Sequence, residues 1–302
     1  MPELPDVMIY VEALRKRVLT RRLTAVRVRS PFVVRTFEPR VESVQGRGVA
    51  GVERVGKRVA LEMDGGLFLV LHLMIAGRLR WFDGGAGGEV KGVGKIGLAE
   101  FLFESGTLVL TEASTQKRAS VHVVSGRAGL AELDAGGIGV LSCTPAEFAE
   151  RLRSENRTLK RALTDPRKFA GIGNAYSDEI LHAARMSPLK LTGKMTDVEC
   201  AGLHRACVST LTAWWERLRV EFGLDQGPGR FPGTGEITAF RPDFAVHGKF
   251  GQACPACGSR VQRIVRADNE CNYCPGCQTG GKVLADRSLS RLFKEDWGNA
   301  ME

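Results

Sequence analysis

Cys254-Pro-Ala-Cys257 and Cys274-Pro-Gly-Cys277 stand 16 residues apart near the C-terminal end of the chain. Two cysteine pairs, each with two residues between them and separated by this length, predict a closed tetrahedral metal site. The expected ion is one structural zinc held by Cys254, Cys257, Cys274 and Cys277, with no coordination position left open for catalysis. Cys271 offers a competing pair with Cys274. The Cys274/Cys277 pair is preferred because both knuckles then read Cys-Pro-x-Cys, which leaves Cys271 as a free thiol. Of the eight cysteines, five fall between Cys254 and Cys277, and Cys143, Cys200 and Cys207 are scattered. Between the knuckles the chain reads Gly258-Ser-Arg-Val-Gln-Arg-Ile-Val-Arg266, with a turn expected over Ala267 to Glu270. Arg260, Arg263 and Arg266 make this hairpin basic, suited to entering a groove or clamping phosphates.

The totals set the frame for that module. At 302 residues the chain has room for two or three cores, and 43% hydrophobic with 25% charged residues is the composition of a globular protein. Lys+Arg number 43 against 34 Asp+Glu, giving a net charge of +9 and a pI near 9.3. That bias points to a polyanionic partner, most often nucleic acid. No apolar run reaches the ~18 residues of a membrane span, and the start of the chain has no basic segment followed by an apolar one. A cytoplasmic, monomeric protein with no membrane partner is expected, associated with the nucleoid if the source is bacterial. Without an export signal, clustered cysteines read as metal ligands rather than disulfides.

Upstream of the knuckles lies a helical region. Thr144-Pro145-Ala146-Glu147 and Thr196-Asp197-Val198-Glu199 are capping boxes, each opening a helix; the second helix is long and carries Trp214 and Trp215, read as core. A helix over Thr158 to Leu163 ends at Asp165-Pro166. Gly171-Ile172-Gly173-Asn174 then leads into a helix from Ala175 to Arg185. Two glycines allow close backbone approach, Asn174 can cap the new helix, and the exposed amides at its start suit a phosphate. Gly223 to Gly235 reads as a flexible loop between this region and the knuckles.

From about Thr24 to Val124 the pattern is one of short strands: Leu67 to Leu73, Leu98 to Phe103 and Thr107 to Thr111, with a hairpin turn at Glu104-Ser105-Gly106. Phe82 to Gly97 holds seven glycines and reads as a mobile loop. Many strands with glycine-rich turns suggest a sandwich or barrel. Before them, Val7, Val11, Leu14 and Val18 have helical spacing. Arg15, Lys16, Arg17, Arg21, Arg22, Arg27 and Arg29 follow with no acid among them, a basic face that is either solvated or phosphate-facing.

The first residues, Met1-Pro2-Glu3-Leu4-Pro5-Asp6, carry possible chemistry. Pro2 is small enough for Met1 to be removed, which leaves a secondary amine at the chain's start. An α-amine titrates at about 7.7–8.0, so much of it is unprotonated and nucleophilic near neutral pH. Such an amine attacks an electrophilic carbon and forms a Schiff base, and Glu3 beside it can carry protons.

Taken together and in this order, several motifs resemble the formamidopyrimidine-DNA glycosylase / endonuclease VIII family, over roughly residues 1–280. They are Pro2-Glu3-Leu4-Pro5, Gly56-Lys57, Leu71-His72-Leu73, Lys160-x-x-Leu163-x-Asp165, Gly171-Ile-Gly-Asn174-Ala-Tyr176 to Glu179, and the knuckles. The resemblance implies an α+β multidomain fold. An N-terminal β-sandwich with flanking helices would cover residues 1–130, a helix–two-turns–helix domain 131–248, and a zinc finger 249–281, followed by an extension over 282–302. Duplex DNA bearing a damaged base or an abasic site would lie in the cleft between. Pro2 would attack C1′ of a flipped, damaged and oxidised nucleotide, with Glu3 as the acid/base and Lys57 assisting β-elimination at a phosphate. The implied DNA contacts are His72, Ile75, Arg118, Lys160, Gly173, Asn174, Tyr176, Arg266 and Asn269.

This chain departs from the family pattern at four places. Asp6 stands where Glu is frequent, and Met74-Ile75-Ala76-Gly77 replaces a Gly-Met-Ser-Gly stretch, so Ile75 takes the wedge position. Ser114 to Ser120 replaces an Arg-Arg-Phe stretch, leaving Lys117 or Arg118 to serve. Asn269 stands where an arginine supports δ-elimination, a role only Arg266 could take over. A non-catalytic damaged-DNA-binding protein on the same scaffold is the alternative, and it would require loss of Pro2 or Glu3. A generic zinc-ribbon module would leave the first 130 residues unexplained.

Overall fold

The computed structural model describes residues 1–84, 90, 92–266 and 269–284, with the side chains of Arg266 and Asn269 not among the parts described. Of the turn expected over Ala267 to Glu270, the first two residues lie outside the described residues while Asn269 and Glu270 are strand, and the extension lies outside them beyond Leu284. Contacts divide the chain into two compact units: Met1–Gly136 with Thr212–Ala239, and Gly137–Leu211 with Phe240–Glu302.

The first unit is a β-sandwich. One antiparallel sheet orders its strands β1 (Leu23–Val28), β6 (Gly97–Phe103), β7 (Gly106–Glu112) and β5 (Gly77–Asp83); the other orders β2 (Val49–Val55), β3 (Arg58–Met63), β4 (Leu67–His72) and β8 (Ser120–Ser125). Strand β4 shows why its sequence is apolar throughout. Leu67, Leu69 and Leu71 enter the core between the sheets, while Phe68 and Val70 point to the other face, where Leu130 of α2 (Gly126–Glu132) covers them. Helix α1 (Leu4–Val18) closes the same core, with Val7, Val11, Leu14 and Val18 all at most 1% exposed. Burying each such side chain contributes about 1.5–3 kcal/mol.

The basic run after α1's apolar positions is exposed except at Arg17, as a solvated face requires, and its first three residues also bond to backbone: Arg15 donates to the Val52 carbonyl, Lys16 to the carbonyls of Leu224 and Gly227, and Arg17 to that of Gly229 at 2.8 Å. The Lys16 and Arg17 bonds pin the stretch read as a flexible Gly/Pro loop, which overturns that expectation. Leu224 and Ile237 are each 1% exposed in the core, and Phe231 packs on Tyr10 at 5.7 Å. The guanidinium and ammonium groups supply donors to carbonyls that the irregular backbone leaves unpaired. Trp214 and Trp215 are half-buried rather than fully core. Trp215 donates Nε1–H to Glu12 over 2.6 Å, and Arg217 lies over the Trp214 ring at 5.0 Å.

The second unit is helical with a hairpin. Helix α3 (Pro145–Arg153) begins with the expected reciprocal cap of Thr144 and Glu147. Helices α4 (Leu159–Thr164) and α5 (Asn174–Ala183) flank the turn stretch 165–173, and α6 (Asp197–Glu221) opens on the Thr196/Glu199 cap. Asp165 ties the turn down. Its carboxylate takes hydrogen bonds from the Arg167 side chain at 2.9 and 3.1 Å and from Arg157 at 3.2 Å. The hairpin β9 (Gln262–Arg266) and β10 (Asn269–Tyr273) leads into the short helix α7 (Pro275–Thr279). Among the described residues no helix is long and apolar enough to cross a membrane.

Candidate nucleic-acid site and metal centre

In the first unit the start of the chain is drawn inward. Pro2 is buried, and Glu3 and Asp6 are 3% and 2% exposed. Asp6 has a visible local role, since its carboxylate accepts the Glu3 N–H at 2.9 Å and closes the first turn of α1. The terminal amine, here carried by Met1, has its pKa lowered. Burial is the main cause, Arg78 and Lys57 add to it, and Glu3 and Asp6 oppose it. The amine therefore lies within electrostatic reach of Glu3, Asp6, Lys57 and Arg78. Lys57 sits in the β2–β3 turn, where Gly56 at φ 58° provides the left-handed residue. Arg78 reaches back to the carbonyls of Ile237 at 2.8 Å and Ile75 at 3.1 Å.

Strand register puts His72 opposite Arg58 on one side and Ser120 on the other. Burial first, then Arg58, His122 and Lys57, lower the His72 pKa to about 4, so the imidazole is neutral at physiological pH. Beyond it, Ile75 is 60% exposed at the tip of the β4–β5 turn. The turn is tight: Met74 adopts φ 52°, Gly77 N–H donates to the Leu73 carbonyl at 2.8 Å, and a Cβ on Gly77 would come within 2.2 Å of that oxygen.

Arg118 lies exposed in the β7–β8 connection. A residue the sequence reading missed holds this connection in place. Glu112, 1% exposed, accepts the backbone N–H groups of Arg118 at 2.8 Å and Ala119 at 3.0 Å. Its signal was present, an acid at the end of an otherwise apolar strand.

In the second unit Gly173, not Asn174, is the N-cap of α5. Asn174 is the first helical residue, and its amide turns outward to donate to the Glu270 carbonyl at 2.8 Å, tying the helix start to the hairpin. Lys160 lies beneath this turn. Its ammonium donates to the Asn174 carbonyl at 2.6 Å, Ser177 Oγ at 2.8 Å and Asp178 Oδ1 at 2.5 Å. Tyr176 is 1% exposed, edge-on to Phe244 at 5.5 Å. Arg266 and Asn269 face each other as the last and first residues of β9 and β10.

Two further polar residues, Asp178 and His247, escaped the sequence reading, and Glu179 entered it only as the end of a motif. Asp178 is fully buried and accepts His247 Nδ1–H at 2.7 Å and the Asn272 backbone N–H at 3.1 Å as well as Lys160. Burial alone would raise its pKa; Lys160 and His247 outweigh that and hold it below the ordinary value. Glu179 accepts the backbone N–H groups of Ala245, Val246 and His247 at 2.7–2.9 Å. Its pKa stays raised, because burial outweighs those bonds.

The four sulfur atoms of Cys254, Cys257, Cys274 and Cys277 all lie within 4.8 Å of one another. A Zn–S length of about 2.3 Å gives tetrahedral edges of about 3.8 Å, and the Cys254–Cys277 and Cys257–Cys274 pairs stand at 3.9 and 3.3 Å. The donor set thus fits a metal ion, and Cys271 is on β10, outside it. Hydrogen bonds from Ser259 bring the Cys257 thiol down to about 6. His182, in the last turn of α5, places Nε2 3.2 Å from Cys254 Sγ.

Comparison with known proteins gives concordant results. The model of the formamidopyrimidine-DNA glycosylase N-terminal domain matches residues 1–172, and that of the formamidopyrimidine-DNA glycosylase H2TH domain matches residues 141–218. The chain is 30% identical to the formamidopyrimidine-DNA glycosylase of Desulforamulus reducens, over 92% of this chain and 99% of that one. It is 32% identical to that of Thermus thermophilus, over 93% and 100%. A Mycobacterium tuberculosis protein described as formamidopyrimidine-DNA glycosylase-like and uncharacterized is 40% identical over 55% of this chain and 99% of its own. Among solved structures, a complex between Lactococcus lactis Fpg and DNA containing an abasic site superposes with a TM-score of 0.76 at 23% identity, over 92% of this chain and 99% of the other. This likeness establishes a shared fold.

Proposed function

This chain belongs to the formamidopyrimidine-DNA glycosylase family, and from that premise we propose that it is a DNA repair glycosylase that also cleaves the strand at abasic sites. The observation that carries this reading is the setting of the chain's start: the terminal amine on half-buried Met1, with Pro2 and Glu3 buried behind it and with Glu3 and Lys57 acting on its charge.

Removal of Met1 transfers the free amine to Pro2. Its nitrogen lone pair bonds to C1′ of a nucleotide turned out of the duplex, the glycosidic bond from C1′ to the base breaks, and the departing base takes up the proton that the amine gives up. Glu3 supplies a proton to the ring oxygen as the sugar opens to an iminium. The Glu3 carboxylate so formed takes a C2′ proton, the C3′–O bond breaks and the 3′ phosphate leaves as an anion facing Lys57, and water hydrolyses the iminium to release Pro2. Partial burial lowers the pKa of the terminal amine, which favours its unprotonated, nucleophilic form. The names of the relatives support an oxidised or ring-opened base as substrate.

Asn174 and the first amides of α5 would hold a backbone phosphate, with Lys160 acting from below through the Asn174 carbonyl. His72 would contact phosphate as a neutral donor, Ile75 would fill the stacking gap, and Arg118 would reach the strand from the Glu112-held connection. Gly173 would give the backbone room at the helix start, and Tyr176 would support that turn from the core. The metal is read as zinc, for which four thiolates in a closed set are suited; it supplies folding energy to the hairpin that carries Arg266 and Asn269. With Asn269 at the tip, β-elimination without efficient δ-elimination is expected. Incubation with duplex DNA carrying a single abasic site tests this: the β-elimination product should dominate, and an uncut strand would refute the lyase assignment.

A further inference from the structure

Asn174, Asp178 and His182 recur every four residues along α5, so they form one stripe on a single helix face. Each meets a different part of the cysteine module. Asn174 donates to the Glu270 carbonyl at 2.8 Å, Asp178 accepts the Asn272 N–H at 3.1 Å, and His182 Nε2 stands 3.2 Å from Cys254 Sγ. The first two contacts grip β10; the third reaches a metal-ligating sulfur. His182 is not itself among the mutually close sulfur ligands.

We infer that His182 is a positioning residue for the metal centre, donating Nε2–H to the Cys254 thiolate and fastening the loaded centre to the helix that presents Asn174. The inference rests on reading the four cysteines as a zinc site. A metal-bound thiolate has no proton, so it can only accept, and the imidazole must carry its proton on Nε2 to face it. The bond fixes the direction of the ligating sulfur and so slows loss of that ligand from the metal. Two other sulfurs have donors of their own: Cys257 from Ser259, and Cys274 from the Cys277 backbone N–H at 3.4 Å. For Cys254 the donor comes from another element, 72 residues away. That makes metal retention dependent on α5.

The test uses the full-length protein with zinc content measured by atomic emission. Zinc transfer to a chromogenic chelator should accelerate on the order of 10–100-fold in His182→Phe, which keeps a ring but has no donor. His182→Gln, whose amide N–H can replace Nε2–H, should recover most of the loss. In cobalt-substituted protein, the thiolate-to-cobalt charge-transfer band should shift in His182→Phe and return toward the native position in His182→Gln; this signature reports the sulfur and not packing. One zinc per chain with release rates and bands unchanged in His182→Phe would overturn the inference, as would a Gln variant no better than Phe. Absence of zinc from the native protein would instead refute the metal reading, and the inference with it.

Discussion

The Asn174 side chain spends its donor on the Glu270 carbonyl, 96 residues downstream, rather than on its own helix. A residue expected to cap α5 is thereby a bracket between the helix start and the hairpin. Asn174→Ala should cost about 1 kcal/mol in chemical denaturation, the worth of one such bond. It should weaken binding to abasic-site DNA by more than that stability change accounts for if, as proposed, Asn174 and the first amides of α5 hold a backbone phosphate. Titration of both variants against labelled duplex at fixed salt measures this.

Beneath that bracket, Asp178→Ala would leave the Lys160 ammonium buried without its carboxylate, and a loss of about 3–5 kcal/mol is expected. Asp178→Asn should cost less, as it keeps an acceptor. Urea unfolding of the three proteins checks the order; an Ala variant as stable as the native protein would rule out a structural role for the pair.

The turn before α5 supplies a pH dependence. The Arg167 side-chain bonds outweigh the effect of burial and hold Asp165 at about 2, below its ordinary 3.8. A depressed carboxylate pKa contributes stability that is present above the unfolded value and lost as pH falls through the folded one. Stability should therefore drop between about pH 4 and pH 2, and Asp165→Asn should remove about 1–2 kcal/mol of that slope, the full shift being discounted because Arg167 is largely solvated. Unfolding midpoints measured across this range in both proteins test the assignment.

These residues also show what the sequence made legible. Helix starts at Thr144 and Thr196, the strand runs at Leu67 and Leu98 and the cysteine knuckles are local signals, and each lies where its pattern places it. Asp178 with His247, and His182 with Cys254, were not legible, because partners 69 and 72 residues apart leave no spacing rule to follow. The same holds for Lys16 and Arg17. Their carbonyl acceptors lie more than 200 residues away, so a basic run and a glycine-rich loop were read separately when each orders the other.

Glu112 offers a test of the β7–β8 connection. Glu112→Ala removes the acceptor for two backbone N–H groups in a buried place and should cost about 2 kcal/mol. Tryptic cleavage after Lys117 and Arg118 should become faster, while Glu112→Gln, which keeps an acceptor, should lie between. Cleavage rates equal in all three would show that the carboxylate does not hold the loop.

Chelation should separate the metal centre from the sandwich. Stripping the ion should abolish amide-exchange protection across Gln262 to Tyr273, since metal binding in isolated fingers is worth on the order of 10 kcal/mol of folding. Protection in β3 and β4, built on Val59, Leu61, Leu69 and Leu71, should persist. Hydrogen-exchange mass spectrometry reads both regions in one experiment.

The most direct test of the Pro2 nucleophile is borohydride trapping on duplex DNA carrying an abasic site. Native protein, its initiator methionine confirmed absent by mass spectrometry, should form a covalent adduct that maps to Pro2, and Pro2→Gly should abolish it. No adduct from the native protein, or an adduct mapped to a lysine and undiminished in Pro2→Gly, would contradict the mechanism.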